Sequence, residues 1–122
     1  MKKILVAEDD KYLRSAYLLK LGKVGFEVRA ASDGEEALGI LKEFTPDLIL
    51  LDLVMPKKDG YATLADLQKN AEWKKIPVII TTNLGLQEEI DKAAKFGCQD
   101  YIVKSDMRID DIVSKIKIKL GL

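Results

Sequence analysis

The chain reads as an α/β protein, a single three-layer, doubly wound (βα)5 sandwich in which a parallel sheet lies between two layers of helices. Three observations lead there. Short β-rich runs alternate with helix-period segments five times along the 122 residues. The first and third strand runs are apolar with little interruption, as in strands covered on both faces. Cap and turn residues separate the runs, and regular βα alternation produces parallel strands joined by crossover helices.

Each element has its own justification. Residues 3–7 are a continuous apolar run and form the first strand. Residues 11–24 form a helix with Leu13, Ala16, Tyr17, Leu21 and Val24 on its inner face, stopped by Gly25. Residues 26–31 form the second strand. Ser32-Asp33-Gly34-Glu35 resembles a capping box, and the helix behind it is expected to reach about Phe44, closed by Pro46. Residues 48–51 are the most apolar strand, with Asp52 at its carboxyl end. The third helix is expected over about 60–71, with Leu64, Leu67 and Ala71 inward, and the fourth strand over 77–81. The fourth helix, about 86–96, has a thin apolar face of Ile90, Ala93 and Ala94. Residues 100–103 make the fifth strand, and 109–120 the last helix, with Ile109, Ile112, Val113, Ile116 and Leu120 inward. The whole of 1–122 is expected to be one domain.

Composition narrows the chemistry. Twenty basic and twenty acidic side chains cancel, so no net positive field draws the chain to nucleic acid or anionic lipid. No apolar run has the length of a membrane span, and the amino terminus lacks a signal-peptide pattern, so a cytoplasmic location is expected. The single cysteine, Cys98, excludes an internal disulfide and is expected to fill core space. There is no histidine, which removes histidine triads, histidine bases and histidine metal ligands.

In parallel α/β sheets the working site lies beyond the carboxyl ends of the strands. Glu8, Asp9 and Asp10 follow strand one, Asp52 ends strand three, Thr82 and Asn83 follow strand four, and Lys104 follows strand five. Were those strands neighbours, the three carboxylates of Glu8, Asp9 and Asp52, a hydroxyl and an ammonium would converge. Carboxylates so close repel one another unless a cation intervenes. Mg²⁺, which takes oxygen ligands and keeps several waters, suits an open site of this kind. Asp52 would be the attacking carboxylate in formation of an acyl phosphate, with Thr82 and Lys104 as donors to phosphoryl oxygens. Asp10 is better explained as a helix cap. Asp52, ending an otherwise apolar run, has no packing explanation, because burying a charge is costly.

Five segments, KILVAEDD (3–10), SDGEEAL (32–38), PDLILLDLVMPKKDG (46–60), PVIITTN (77–83) and DYIVKS (100–105), resemble in order and spacing the receiver domain of response regulators, the CheY-like superfamily. The resemblance spans essentially the whole chain. It implies a flavodoxin-like sheet of order 2-1-3-4-5 and a phosphorylation-dependent switch of a two-component system. Asp52 would be the phosphoacceptor, Glu8 and Asp9 the acidic pair with Asp9 the closer Mg²⁺ ligand, and the Val54 backbone carbonyl a further metal ligand. Thr82 would be the hydroxyl that moves toward the phosphoryl group, Lys104 that group's ion-pair partner and Tyr101 the switch aromatic. A histidine kinase or histidine phosphotransfer protein would be the donor. A protein target would read the face made by helix four, strand five and helix five. The chain stops just after helix five, so protein binding is the expected output, as in a stand-alone receiver, unless the chain is part of a longer protein.

Three residues depart from the family pattern. Glu8 stands where Asp is commoner, and its longer arm is expected to reach metal through water. Ser105 replaces a usual proline after Lys104, so a trans bond and a shifted loop are expected. Asn83 replaces a small residue and is expected to narrow the path of Thr82. Val54 and Leu84, apolar at positions flanking the route of attacking water, imply slow self-dephosphorylation. Trp73 is expected to pack partly and carry no function, and Leu84, Leu86 and Ile118 to be scattered exposed apolar residues or part of a docking face.

Other readings are weaker. A degenerate receiver serving only protein interaction conflicts with the complete Asp9, Asp52, Thr82, Lys104 set. An Asp-nucleophile phosphohydrolase would carry a second acid where Val54 stands. A flavin carrier would need a hydroxyl- and glycine-rich loop in place of Glu8-Asp9-Asp10. The chain is therefore not expected to be an enzyme beyond catalysing its own phosphorylation and dephosphorylation.

Overall fold

The computed structural model describes residues 1–83, 87–97 and 100–122. Five parallel strands, β1 (Lys3–Ala7), β2 (Glu27–Ala31), β3 (Leu48–Asp52), β4 (Val78–Thr82) and β5 (Asp100–Val103), form one sheet of order β2-β1-β3-β4-β5. The helices between and after them are α1 (Lys11–Val24), α2 (Gly34–Leu41), α3 (Gly60–Lys69), α4 (Gln87–Lys95) and α5 (Ile109–Lys119). The expected architecture and strand order both hold.

Strand alternation sorts the core into two layers. Ile4, Val6, Leu48, Leu50, Ile79 and Ile102 meet Tyr17 and Leu21 of α1 and Ile112, Val113 and Ile116 of α5. Leu5, Ala7, Ile49, Leu51 and Ile80 meet Ala37 and Leu41 of α2, Leu64 and Leu67 of α3 and Ala93 of α4. β1 and β3 are buried from Ile4 through Ala7 and from Leu48 through Asp52, which accounts for their unbroken apolar sequence.

Several boundaries differ from the sequence reading, each for a local reason. α2 stops at Leu41, short of Phe44. Phe44 is buried in a following turn, its ring 5.6 Å from Lys3 Nζ and 5.1 Å from the Arg29 guanidinium carbon. The cap of α2 is shifted by one residue: Asp33 accepts from the Glu36 amide at 2.8 Å and Glu36 accepts from the Ser32 amide at 3.0 Å. α3 stops at Lys69 because Asn70 turns extended and its side chain accepts from the Glu72 and Trp73 amides. Ala71 is thereby exposed rather than inward. Val24 and Ala94 are also exposed. Val24 lies in the last turn of its helix, which Gly25 ends with φ 106°. Trp73 packs partly on the α2–α3–α4 side, as expected. Cys98, Leu84 and Leu86 lie outside the described residues. Ile118 is exposed.

Candidate phosphoacceptor site

The side chains named from the sequence gather at the carboxyl edge of β1, β3, β4 and β5. Asp52 is the last residue of β3, and its parity matches Leu48 and Leu50, so it faces the α1–α5 side. Glu8 and Lys104 continue the same parity beyond Val6 and Ile102. Lys104 Nζ donates to Glu8 Oε1 at 2.6 Å and to Asp52 Oδ2 at 3.0 Å. Glu8 and Asp52 are almost fully buried, while Asp9 is exposed. Carboxylate oxygens of Glu8, Asp9 and Asp52 lie within 4.8 Å of one another.

Backbone contacts hold this loop in place. The Glu8 amide donates to the Ala31 carbonyl at 2.9 Å, and Asp10 caps α1 by accepting from the Leu13 amide at 2.9 Å, as expected. Arg14 Nη1 donates to the Glu8 and Asp9 carbonyls at 2.9 and 3.2 Å. That role was not legible in the sequence, where Arg14 is one polar residue on an amphipathic helix. The Asp10 amide donates to Glu8 Oε2 at 3.1 Å and the Val54 amide to Asp52 Oδ1 at 3.4 Å. An open pocket of about 720 Å³ is lined by Glu8, Asp9, Asp52, Val54, Asn83 and Lys104 among others. Val54 is 60 % exposed at its rim.

Thr82 has the opposite parity. It is wholly buried, in register with Val103, and is hydrogen-bonded to the half-buried Tyr101. The hydroxyl and the phenol thus lie on the α2–α3–α4 side and the charged cluster on the α1–α5 side. The Lys104–Ser105 peptide is trans, and a 3-10 turn over Lys104–Asp106 follows β5.

The electrostatics are lopsided. Three carboxylates against one ammonium leave two negative charges when all are ionised. Burial, with the hydrogen bond and charge of Glu8, pushes the Asp52 carboxyl up to about 7, and Lys104 opposes this. Lys104 is held above the ordinary lysine range by the two carboxylates, against the opposing effect of its burial. Burial also raises the Tyr101 phenol, while the Thr82 hydrogen bond lowers it. Hard oxygen donors with surplus negative charge at an open edge fit a small divalent cation with waters in its remaining positions.

A doubly wound α/β protein with a buried carboxylate clamped by lysine at the strand ends has the form of a phosphoacceptor module. The family model "Response regulator receiver domain" matches residues 4–117, and the chain belongs to that family. The probable transcriptional regulator ycf27 of Cyanophora paradoxa is 41 % identical over 103 residues, 84 % of this chain and 42 % of that protein. The ycf27 protein of Porphyridium aerugineum is 40 % identical with the same coverage. The chain thus spans less than half the length of these curated relatives. Among solved structures, the Francisella response regulator 1452 receiver domain superposes with a TM-score of 0.89 at 32 % identity, covering 99 % of this chain and 98 % of that one. The Mn²⁺-bound form of response regulator Rcp1 superposes at 0.82 with 30 % identity, covering 96 % and 92 %. Among the described residues no helix is long and apolar enough to cross a membrane.

Proposed function

We propose that the chain is a phosphorylation-controlled switch in which Asp52 is the phosphoacceptor. The observation that carries this reading is the pairing of buried Asp52 with Lys104, 3.0 Å away, inside a cluster that also holds Glu8 and Asp9. An Asp52 carboxylate oxygen attacks the phosphorus of a phosphohistidine on a histidine kinase or phosphotransfer protein. A P–O bond forms, the P–N bond breaks, and the imidazole leaves with the electron pair. Asp9, Asp52 and the Val54 carbonyl would hold Mg²⁺, with Glu8 acting through water. The bound ion supplies charge neutralisation for the phosphoryl oxygens. Lys104 turns from the carboxylates to one phosphoryl oxygen, and Thr82 donates to another. Thr82 leaves its partner Tyr101 in doing so, and the aromatic repacks inward. The change spreads to α4, β5 and α5, where a protein target would bind.

In this reading the chain acts chemically on itself and not on a released substrate, and it works in the cytoplasm. Self-dephosphorylation is slow, because the Val54 side chain at the pocket rim cannot orient a water. The test is amide NMR of wild type and Asp52→Ala with Mg²⁺ and beryllofluoride. Resonance shifts at Thr82, Asn83 and Tyr101 in the wild type alone are expected. Identical spectra for the two proteins would remove Asp52 from the mechanism.

A further inference from the structure

The phenol of Tyr17 is placed as no packing argument requires. Tyr17 sits on the inner face of α1, is 1 % exposed, and belongs to the buried apolar cluster that also holds Ile4, Val6, Leu50, Ile102 and Ile112. Leucine or phenylalanine would fill such a space. The Tyr17 hydroxyl oxygen is itself buried and finds no hydrogen-bond partner among the described residues. A buried unmatched hydroxyl is a standing cost, so its presence needs a reason.

Geometry supplies one. Helical side chains lean back toward the helix amino terminus, and α1 begins at the carboxyl edge of the sheet. Leu13, one turn earlier on the same face, lines the acidic pocket, and Arg14 grips the Glu8 and Asp9 carbonyls. Glu8, Asp52 and Lys104 all fall on the α1–α5 side, the side on which Tyr17 packs. The phenol is raised above its ordinary range by burial and further by the charges of Glu8 and Asp52.

Glu8 has a problem that this hydroxyl solves. It is 1 % exposed and depends on Lys104, at 2.6 Å, for its charged donor. When Lys104 turns to a phosphoryl oxygen, Glu8 stays buried and loses that donor. We propose that Tyr17 is a positioning residue of the activated state: its O–H donates to the Glu8 carboxylate once Lys104 has left it, keeping that side chain aimed at the metal site. This rests on the proposed switch and adds a residue to it. The hydroxyl is unmatched in the unphosphorylated protein and matched only after Lys104 moves, so it biases the two conformers.

Tyr17→Phe deletes the hydroxyl and keeps the ring. It is expected to raise the melting temperature of the metal-free protein by a degree or more, because an unmatched group is removed. It is also expected to weaken beryllofluoride binding in Mg²⁺ by about tenfold, because a hydrogen bond to a charged group is lost. A purely structural tyrosine would not weaken ligand binding while stabilising the free protein. In the Glu8→Gln background, where the acceptor is neutral, the loss on adding Tyr17→Phe should shrink to about twofold or less. Equal beryllofluoride affinity of Tyr17→Phe and wild type overturns the assignment and leaves the switch standing. No binding by wild type overturns the switch and the assignment together. A full tenfold loss persisting with Gln at position 8 overturns Glu8 as the acceptor.

Discussion

A carboxylate that is 3 % exposed with one ammonium to share cannot titrate normally. Asp52 is raised to about 7 by burial first and Glu8 second. The folded protein binds this proton more tightly than the unfolded chain does. The resulting stability is therefore complete below the ordinary carboxylate range and is lost as pH rises through about 7. Asp52→Asn carries no such titration. In EDTA, its melting temperature relative to wild type is expected to climb by several degrees between about pH 5 and about pH 8, and added Mg²⁺ should shrink the gap. A gap independent of pH would mean that Asp52 is not protonated in the metal-free fold. Val54 offers a second residue test. Placing asparagine there gives attacking water a partner, and loss of phosphate from the phosphorylated protein should quicken roughly tenfold. Asp9, Asp52 and Lys104 were legible as a set from their places after apolar runs. Arg14 and Tyr17 were not, because an amphipathic helix does not say what its polar atoms touch.

Elements deliver these residues to the site, and the β3–α3 connection does so most tightly. Gly60 opens α3 and its amide donates to the Leu53 carbonyl at 2.9 Å. A β-carbon at Gly60 would lie 2.5 Å from the Asp52 carbonyl oxygen and 2.7 Å from the Leu53 α-carbon, both backbone atoms that cannot swing aside. Gly60→Ala is expected to cost about 2 kcal/mol in urea unfolding, and to weaken beryllofluoride binding because the strand end carrying Asp52 must shift. Unchanged stability would show that the loop yields freely. On the other side of α3, Tyr61 ties the helix to α4: its hydroxyl donates to Glu89, and Lys92 Nζ sits 4.2 Å from its ring centroid. Strand positions were read to within a residue, most plainly for β1 and β3, whose burial shows as apolar runs. Helix ends were read less well. The stop of α3 was set by the Asn70 side chain competing for the backbone, and that of α2 by where Phe44 finds its pocket.

For the whole molecule, the surplus negative charge at the strand ends makes stability a function of divalent cation. Binding to the folded state alone adds RT ln(1 + [L]/Kd), about 2.7 kcal/mol at a hundredfold excess over Kd. Mg²⁺ is expected to raise the melting temperature by several degrees, and chelation to reverse it. Absence of any Mg²⁺ effect would count against the acidic cluster as a metal site. The two core layers meet across the sheet, with the charged cluster on the α1–α5 side and the Thr82–Tyr101 pair on the other. A change in Lys104 and a change in Thr82 are thus read on opposite faces of one rigid sheet.

From sequence alone came the α/β alternation, the two-sided burial of the central strands, and the residues at the strand ends, because local periodicity and burial are written in apolar spacing. Strand order came with the family resemblance and not from the pattern itself, since apolar runs do not name their neighbours. Tertiary structure decided which carboxylates Lys104 bridges, that Asp52 and Thr82 face opposite layers, and that the Tyr17 hydroxyl lies buried without a partner. Those facts depend on distances between residues far apart in the chain, and packing in three dimensions sets such distances.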